Sequence, residues 1–401
     1  MAEKESVIEV RGLYKIFGPR VSTAKKLADE GVPRAEILKK TGCTPAVVNA
    51  EFSIERSETF VIMGLSGSGK STLLRLLNRL IEPTYGEVLL DGEDIAHQGV
   101  AALREIRRRK FAMVFQHFGL LPHRNVLENV GFGLEIQGMP PKERTDKSMQ
   151  AIEVVGLDGY ANSRISELSG GMQQRVGLAR ALATDPEILL MDEAFSALDP
   201  LIRTQMQDEL IELQARLHKT VIFITHDLDE ALKLGDRIVI MKDGVIDQID
   251  TPEGILTNPA TDYVRTFVEN VDRSKVLTAG SIMHKTNVVA NHKDGPQQAV
   301  RAMEKNDHSS LFVVDHDRRF LGLVRIDDAL AEAKKGGRSL EPILVRDVAT
   351  VPVDANLKDM IPLARESKLP VPVLHDDGRF GGIVTRARLL TALSSETEES
   401  S

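Results

Sequence analysis

The chain has 401 residues, of which 42% are hydrophobic and 27% charged, and its formal net charge is -8. These proportions are typical of a folded protein, and the length corresponds to two or three domains of roughly 150 residues each. The acidic balance argues against binding to nucleic acid over a broad surface, because such binding needs many cations opposite the phosphates. The single cysteine, Cys43, excludes an intramolecular disulfide. No apolar run approaches the roughly 20 residues that span a bilayer, so we expect any membrane role to be peripheral.

Strand-like and helix-like segments alternate through the first 250 residues. The strand-like segments are short apolar runs at residues 7–10, 60–63, 111–115, 188–191, 221–224 and 237–241. This alternation predicts an α/β domain with a largely parallel central sheet. Between residues 20 and 50 lie two short helix candidates, 23–30 and 35–40, separated by Gly31 and Pro33. We interpret residues 20–50 as an insertion in the domain.

A glycine-rich segment follows the strand at 60–63. It matches the pattern G-x-x-x-x-G-K-[ST] and leads into a leucine-rich helix candidate that begins at Thr72; its residues are Gly64, Leu65, Ser66, Gly67, Ser68, Gly69, Lys70 and Ser71. Glycines let backbone N–H groups point at phosphate oxygens, and the helix N-terminus adds partial positive charge. We expect Lys70 to reach the β- and γ-phosphates and the Ser71 hydroxyl to ligate Mg²⁺. The sequence therefore predicts a site for ATP and Mg²⁺.

Two adjacent carboxylates, Asp192 and Glu193, end the apolar run at 188–191. Adjacent residues of a strand point to opposite sides, so one carboxylate can serve the metal and the other the attacking water. We expect Asp192 to hold Mg²⁺ and Glu193 to orient and polarise the water that attacks the γ-phosphate. The order of this pair after Lys70 favours this interpretation over a chance acidic strand end.

Residues 168–175 read Leu-Ser-Gly-Gly-Met-Gln-Gln-Arg and begin a helix candidate that runs to Leu182. A helix N-terminus of this kind can receive an anion. The segment resembles the signature sequence of ABC ATPases, although a methionine stands where glutamine is usual. The signature residues are Ser169, Gly170, Gly171 and Met172. Further parts of the family's set follow in its order, and the resemblance covers residues 7 to about 270. We therefore identify residues 1–276 as a P-loop NTPase domain of the ABC type.

The resemblance implies roles for single residues outside the signature. Gln116 resembles the glutamine that contacts Mg²⁺ and water and connects to a membrane partner. The loop formed by Ser196, Ala197, Leu198 and Asp199, called the dimer loop below, resembles the loop that signals across a dimer, and His226 resembles the switch histidine that contacts the γ-phosphate. Phe17 stands where the family has the aromatic that stacks on adenine, with Tyr14 as the alternative because the insertion delays the phosphate loop. The family forms a head-to-tail dimer, in which the signature of one copy closes over ATP bound by the other.

A connector from about residue 251 to 276 leads to a second region that contains an internal repeat. Residues 311–315 and 320–324 recur at 371–375 and 380–384, an offset of 60 residues. Each copy predicts a helix, a strand, a polar turn, a strand and a closing helix, and we expect the two small units to pack on each other. The repeats resemble tandem CBS domains of α+β type at 277–336 and 337–393. The acidic tail, 394–401, is expected to be disordered.

The insertion, the segment 60–71 and the CBS pair together resemble the ATP-binding subunits of glycine betaine and proline betaine importers. The resemblance implies a homodimer at the cytoplasmic face of the inner membrane that energises osmoprotectant import through a transmembrane permease. A periplasmic or lipid-anchored substrate-binding protein would act with that permease. Methionine, another amino acid and a choline-like compound are the alternative cargoes.

The CBS pair offers several interpretations. Many CBS pairs hold adenosine ligands with a Thr or Ser three residues before an Asp, but here Arg325 precedes Asp328 and Thr385 precedes Arg388. We favour salt sensing, in which ions weaken attraction to anionic lipid. A small basic cluster formed by Lys334, Lys335 and Arg338 fits such a contact. A regulatory nucleotide and a purely structural dimerisation role are the alternatives.

Two further classes of function compete with a transporter role. Soluble ABC ATPases of ribosomes carry two cassettes, and those of chromosomes carry a long coiled coil between the phosphate loop and the acidic strand; this sequence has neither. A nucleotide sensor that does not hydrolyse ATP would not need Glu193 and His226. The lack of a second cassette or a long coiled coil, and the presence of Glu193 and His226, favour a transporter ATPase.

Overall fold

The computed structural model describes residues 5–116, 119–269, 271–286, 289–367 and 369–394. The predicted acidic tail lies outside the described residues from position 395 onward. The chain divides into two compact units, Met1–Val268 and Glu269–Ser401. The first unit therefore ends at Val268, whereas the sequence places the end of the ATPase domain at residue 276. None of the described helices is long and apolar enough to cross a bilayer.

The first unit contains strands and helices in alternation. Its strands are β1 (Ser6–Phe17), β2 (Thr44–Glu55), β3 (Thr59–Met63), β4 (Tyr85–Leu90), β5 (Glu93–Asp94), β6 (Phe111–Phe115), β7 (Ile188–Asp192), β8 (Thr220–Thr225), β9 (Arg237–Lys242) and β10 (Val245–Asp250). Its helices are α1 (Val21–Asp29), α2 (Arg34–Thr41), α3 (Lys70–Leu77), α4 (Val100–Arg109), α5 (Val126–Val130), α6 (Phe132–Ile136), α7 (Pro141–Val154), α8 (Gly170–Ala183), α9 (Pro200–Leu217), α10 (Leu228–Leu234), α11 (Pro252–Thr257) and α12 (Asp262–Val268).

The central sheet has the strand order β10-β9-β3-β8-β7-β6, and all of its pairings are parallel except that between β9 and β10. Every residue of β3, β7 and β8 is buried, which explains their continuous apolar sequence, since a parallel sheet is covered on both faces. The carboxyl ends of these strands meet at one edge of the sheet. The predicted α/β architecture is confirmed. This edge of the sheet carries the predicted phosphate-binding loop and the two adjacent carboxylates.

A second sheet holds the first strand of the chain. Its order is β2-β1-β4-β5, and its pairings are antiparallel. The segment 7–10 therefore does not join the central sheet, contrary to the expectation from alternation, because β1 pairs with β2 and β4 instead. Four leucines of α3 pack in one core with residues of both sheets. The rings of Phe52 and Phe60 stack within this core, with centroids 5.2 Å apart.

The predicted insertion folds as α1 and α2 followed by the first half of β2. Both helix candidates are therefore confirmed. A small separate core holds this region together, and it consists of Tyr14, Ile16, Ala24, Ile37 and Cys43 with partly buried neighbours. The Cys43 thiol is buried and free. The insertion is thus a packed element on the edge of the antiparallel sheet.

The second unit consists of two similar halves. Its strands are β11 (Val289–Asn291), β12 (Ser310–Val314), β13 (Phe320–Arg325), β14 (Val351–Pro352), β15 (Val371–Leu374) and β16 (Phe380–Val384). Its helices are α13 (Ala279–Ile282), α14 (Pro296–Lys305), α15 (Ile326–Lys334), α16 (Leu357–Glu366) and α17 (Arg386–Leu393). Each half has a three-stranded sheet with one parallel and one antiparallel pairing. The predicted internal repeat is confirmed.

The two halves of the second unit pack on each other through equivalent positions. The backbone N–H of Phe320 donates to the Gly378 carbonyl at 3.1 Å, and that of Phe380 donates to the Arg318 carbonyl at 2.8 Å. The rings of Phe320 and Phe380 stack between the halves, with centroids 6.3 Å apart. Neither half could bury these rings alone, which is the reason for expecting a pair.

Candidate active site

The phosphate loop joins β3 to α3 and is pressed against its neighbours. Gly64 has a φ of +149° and Gly69 a φ of +108°. A Cβ atom at Gly64 would lie 2.3 Å from the Met241 carbonyl oxygen, and one at Gly69 would lie 2.2 Å from the Ala46 carbonyl oxygen. Only glycine fits at these two positions. The loop therefore forms a cradle of exposed backbone that suits a phosphate chain.

Lys70 lies inside this loop. Its ammonium donates to the carbonyl oxygens of Gly64 at 2.9 Å and Leu65 at 3.2 Å. Burial lowers the pKa of Lys70, and the nearby carboxylates of Glu193 and Asp192 oppose that shift. A phosphate would add an anionic partner to the two carboxylates near this buried cation.

Asp192 and Ser71 lie together at the end of β7. The Ser71 hydroxyl donates to Asp192 Oδ1 at 2.8 Å, and Arg75 Nη2 donates to Asp192 Oδ2 at 3.2 Å. Hydroxyl and carboxylate oxygens are ligands that Mg²⁺ prefers, usually together with phosphate oxygens and waters. These residues therefore fit a magnesium ion. Arg75 lies one helical turn after Ser71, and the sequence motif does not predict its contact with Asp192.

The Glu193 carboxylate lies close to three other predicted site residues. Its carboxylate lies 3.9 Å from Lys70 Nζ and 3.5 Å from His226 Nδ1, and it accepts a hydrogen bond from Gln116 Nε2 at 3.4 Å. Its backbone has a φ of +47°, a left-handed conformation that costs about 1–3 kcal/mol in a non-glycine residue and is typical of functional sites. The structure thus separates Asp192, next to Ser71, from Glu193, next to Gln116 and His226, as two distinct roles require.

The signature and the dimer loop both lie at helix N-termini. The Ser169 hydroxyl accepts from the Met172 backbone N–H at 3.3 Å and caps α8, while the Asp199 carboxylate accepts from the Ile202 N–H at 3.1 Å and caps α9. Among the described residues, neither cap forms a hydrogen bond or ion pair with the phosphate loop of the same chain. Both side-chain oxygens are thus engaged with backbone N–H groups of their own helices.

Phe17 and Tyr14 differ in their availability to a ligand. Phe17 ends β1 with 45% of its surface exposed, whereas Tyr14 is 6% exposed. The Tyr14 hydroxyl donates to Asp29 Oδ1 at 2.7 Å, and burial raises its pKa. Tyr14 is thus occupied in the core of the insertion. Phe17 is the more accessible ring, although the Lys15 ammonium lies over it at 4.9 Å from its centroid, and this accessibility favours it as the adenine partner.

Arg203 is a site residue that the sequence reading missed. Its Nη2 donates to the carbonyl oxygens of Ser196 at 3.4 Å and Leu198 at 3.2 Å, and its Nη1 lies 3.6 Å from Asp227 Oδ2. It therefore joins the dimer loop to the residue that follows His226. Its spacing of four residues after Asp199, one helical turn, could have suggested this position.

We predict that Arg203→Gln lowers the maximal ATPase rate roughly ten-fold with little change in KM for ATP. The reason is that the loss of hydrogen bonds from a charged group, worth about 1.5–3 kcal/mol, releases the dimer loop but leaves the phosphate loop intact. Steady-state hydrolysis by the purified chain measures both values. Arg216→Gln, an exposed change on the same helix, is the matched control. An unchanged maximal rate in Arg203→Gln would refute the assignment.

Comparisons with known proteins agree with this geometry. The ABC transporter family profile matches residues 47–196, and the CBS domain profile matches residues 279–335 and 340–395. The chain is 51% identical over 389 residues to the glycine betaine/carnitine transport ATP-binding protein GbuA of Listeria monocytogenes, covering 97% of this chain and 98% of the relative. The chain belongs to the family of ABC transporter ATP-binding proteins.

Other relatives of this ATP-binding subunit match it over a similar extent. The glycine betaine transport ATP-binding protein OpuAA of Bacillus subtilis is 50% identical over 99% of this chain and 94% of its own length. The glycine betaine/proline betaine transport system ATP-binding protein ProV of Salmonella typhimurium is 49% identical over 97% of this chain and 98% of its own length. The resemblance to this branch of ABC ATPases is therefore confirmed.

Solved structures support the cassette assignment. A dimeric bacterial ABC transporter cassette, MJ0796, is 33% identical with a TM-score of 0.51, covering 61% of this chain and 98% of that chain. A post-hydrolysis state of the same cassette bound to ADP and phosphate is 32% identical with a TM-score of 0.52, at the same coverage. The subunit is an ABC-type transporter ATPase, and ATP is its nucleotide.

Proposed function

We propose that this subunit energises import of glycine betaine, proline betaine or a related quaternary amine for osmoprotection. The observation that carries the proposal is identity of 49–51% to three subunits named for betaine transport, over 97% or more of this chain. The match includes the insertion and the CBS pair as well as the cassette. By comparison, the choline transport ATP-binding protein OpuBA of Bacillus subtilis is 37% identical over 88% of this chain.

In the hydrolysis step, Ser71, Asp192 and Gln116 would hold Mg²⁺, which neutralises phosphate charge when bound. The backbone of residues 64–72 and the Lys70 ammonium would bind the β- and γ-phosphates, with Phe17 stacked on adenine. Glu193 would orient and polarise the attacking water, and His226 would contact the γ-phosphate. The short distances among Lys70, Gln116, Glu193 and His226 support these roles.

The active assembly would be a head-to-tail homodimer. Ser169, Gly170, Gly171 and Met172 of one copy would close over the ATP of the other, because the N-terminus of α8 offers N–H groups and partial positive charge to the γ-phosphate. Asp199 would report the state of one site to the other. The dimeric form of the similar cassette supports this arrangement.

The subunit would work at the cytoplasmic face of the inner membrane with a transmembrane permease. A periplasmic or lipid-anchored substrate-binding protein would select the cargo, and no nucleic acid would be involved. The names of the relatives as transport ATP-binding proteins support this role.

For the CBS pair we propose salt sensing through anionic lipid. Thr385 caps α17 by accepting from the Arg388 N–H at 3.2 Å, and Arg388 Nη1 donates to the Ile282 carbonyl at 3.0 Å. In the second repeat, the position that holds a ribose-binding carboxylate in many CBS pairs thus carries an arginine engaged with backbone. In the first repeat Asp328 keeps the carboxylate but Arg325 replaces the hydroxyl residue, so neither repeat has the full pair, which disfavours a regulatory nucleotide. Lys334 at the end of α15 and Lys335 and Arg338 just after it are exposed, where they could meet lipid phosphates.

We expect cells that carry this subunit and its permease partners to take up labelled glycine betaine at high external osmolarity, and Glu193→Gln cells to lose that uptake. Unlabelled proline betaine, choline and methionine added in excess would rank the cargoes. Competition by the betaines alone supports the proposal. Uptake blocked only by choline or by methionine would replace the cargo while keeping the motor. Equal uptake by wild-type and Glu193→Gln cells would reject the betaine role.

A further inference from the structure

One side chain of the insertion contacts the phosphate loop. Arg34 is the first residue of α2, and its Nη1 donates to the Gly67 carbonyl oxygen at 2.6 Å. Gly67 lies at the outer turn of the loop, where the Ser68 N–H donates to the Leu65 carbonyl at 3.1 Å. The two residues are 33 positions apart in the chain. An element outside the phosphate-loop motif therefore reaches the nucleotide site.

The helix that carries Arg34 is anchored in the small core of the insertion. Ile37, one turn further along α2, is 1% exposed in the small core of the insertion, and Cys43 in the same core is fully buried. The partner helix α1 is joined to β1 by a hydrogen bond from the Tyr14 hydroxyl to Asp29 at 2.7 Å, and Lys25, also in α1, donates to the same carboxylate at 2.7 Å. The hydrogen bond to Lys25 holds the pKa of Asp29 below its usual range. These contacts fix the backbone of α2, from which the Arg34 side chain extends to the phosphate loop.

The strand that leaves the insertion supports the same loop from behind. The Ala46 carbonyl of β2 occupies the space next to Gly69. The Gly244 N–H donates to the Ser68 carbonyl at 2.9 Å, and the Gly244 carbonyl accepts from the Val48 N–H at 2.8 Å. Residues 34–48 thus contact the loop directly at Gly67 and Gly69 and, through Gly244, at Ser68.

Gly67 lies in an open part of the loop. Its φ is +82°, and no atom lies within 4 Å of the position that a Cβ would take. Glycine has wide conformational freedom, and no side chain packs on this side of Gly67 to restrict it. The guanidinium fixes the direction of the Gly67 carbonyl and adds a positive charge beside a loop that binds anions.

We infer that the insertion is a brace for the phosphate loop and that Arg34 is a positioning residue for nucleotide binding. Arg34 acts through the Gly67 carbonyl and sets the affinity for the nucleotide rather than the rate of the chemical step. The inference concerns the ATPase cassette and does not depend on the transported cargo.

The test compares three variants of the full-length purified chain. Calorimetric titration with Mg²⁺-ADP gives the dissociation constant without turnover, and steady-state ATPase assays give kcat and KM. Arg34→Gln is expected to weaken ADP binding and raise KM by roughly three- to ten-fold, the range for one hydrogen bond from a charged donor, with kcat within about two-fold of wild type. Arg34→Lys keeps the charge and should recover part of the affinity. Lys40→Gln, which removes an exposed charge paired with Glu36 on the same helix, is the matched control.

Three results would overturn the inference. Wild-type affinity in Arg34→Gln would show that the contact does not matter for binding. Equal weakening in Lys40→Gln and Arg34→Gln would assign the effect to overall charge. Melting curves show whether Arg34→Gln is folded. If it proves unstable, Arg34→Lys, which preserves the charge and approximate length of the side chain, replaces it in the comparison. A fall in kcat with unchanged KM and ADP affinity would place Arg34 in the chemical step and also reject the inference.

Discussion

Glu193→Gln is expected to slow ATP hydrolysis by roughly 10²- to 10⁴-fold, the usual contribution of a positioned general base, while ATP still binds. Glutamine keeps the size of the side chain and can still contact Gln116 and His226. It cannot accept a proton from the attacking water. The negative charge opposite Lys70, 3.9 Å away in the structure, is also removed, so ATP affinity should stay the same or rise.

Single-turnover hydrolysis and equilibrium binding of ATP measure the two effects of Glu193→Gln separately. If the signature closes over ATP in a second copy, the variant should accumulate as an ATP-bound dimer on size-exclusion chromatography. Glu212→Gln makes the same chemical change at an exposed position of α9 and should hydrolyse ATP like wild type. A Glu193→Gln protein that retained more than a tenth of the wild-type rate would remove Glu193 from the base role.

Lys70→Ala is expected to weaken ATP binding by roughly 10- to 100-fold, because charge-assisted hydrogen bonds are worth about 1.5–3 kcal/mol each. The Lys70 ammonium is held inside the loop by the Gly64 and Leu65 carbonyls. Hydrolysis should fall further than binding, since charge on the γ-phosphate oxygens is also left uncompensated. Weaker ATP binding distinguishes Lys70→Ala from Glu193→Gln, which is expected to bind ATP as well as wild type or better.

Calorimetric titration with ATP in the presence of Mg²⁺ checks the Lys70 prediction. Lys147→Ala removes a lysine from the exposed face of α7 and is the control for the loss of one positive charge. A melting curve shows whether the variant is folded. Unchanged ATP affinity in a folded Lys70→Ala protein would contradict the role of Lys70 at the phosphates.

Several site residues could be found from sequence because their chemistry depends on local spacing. The segment 64–71 forms its loop from its own glycines, and the helix that follows begins at Lys70 in the structure. Asp192 and Glu193 are separated because neighbouring residues at a strand end diverge. The order of Gln116, Glu193 and His226 along parallel strands brings them to one edge of the sheet, since parallel strands end on the same side.

Other features depended on contacts between distant segments. Nothing local in residues 7–10 distinguishes a central parallel strand from an antiparallel one, and the pairing with β2 and β4 decided that question. The difference between Tyr14 and Phe17 also came from packing, because the insertion buries one ring and leaves the other open. Arg203 and Arg34 were missed since an arginine's sequence neighbours do not reveal which carbonyl its guanidinium will reach.

The sequence by itself determined the chemistry of this protein: the phosphate loop, the acidic pair, the signature and the repeated second unit are set by residue type and spacing within short segments. Only the tertiary structure decided which sheet β1 joins, which aromatic ring is open to a ligand, and how α2 braces Gly67 across 33 positions of chain. The physical reason is that hydrogen-bonding patterns within a turn or helix end are local. Burial and the partner of a long side chain depend on which distant surfaces the fold brings together.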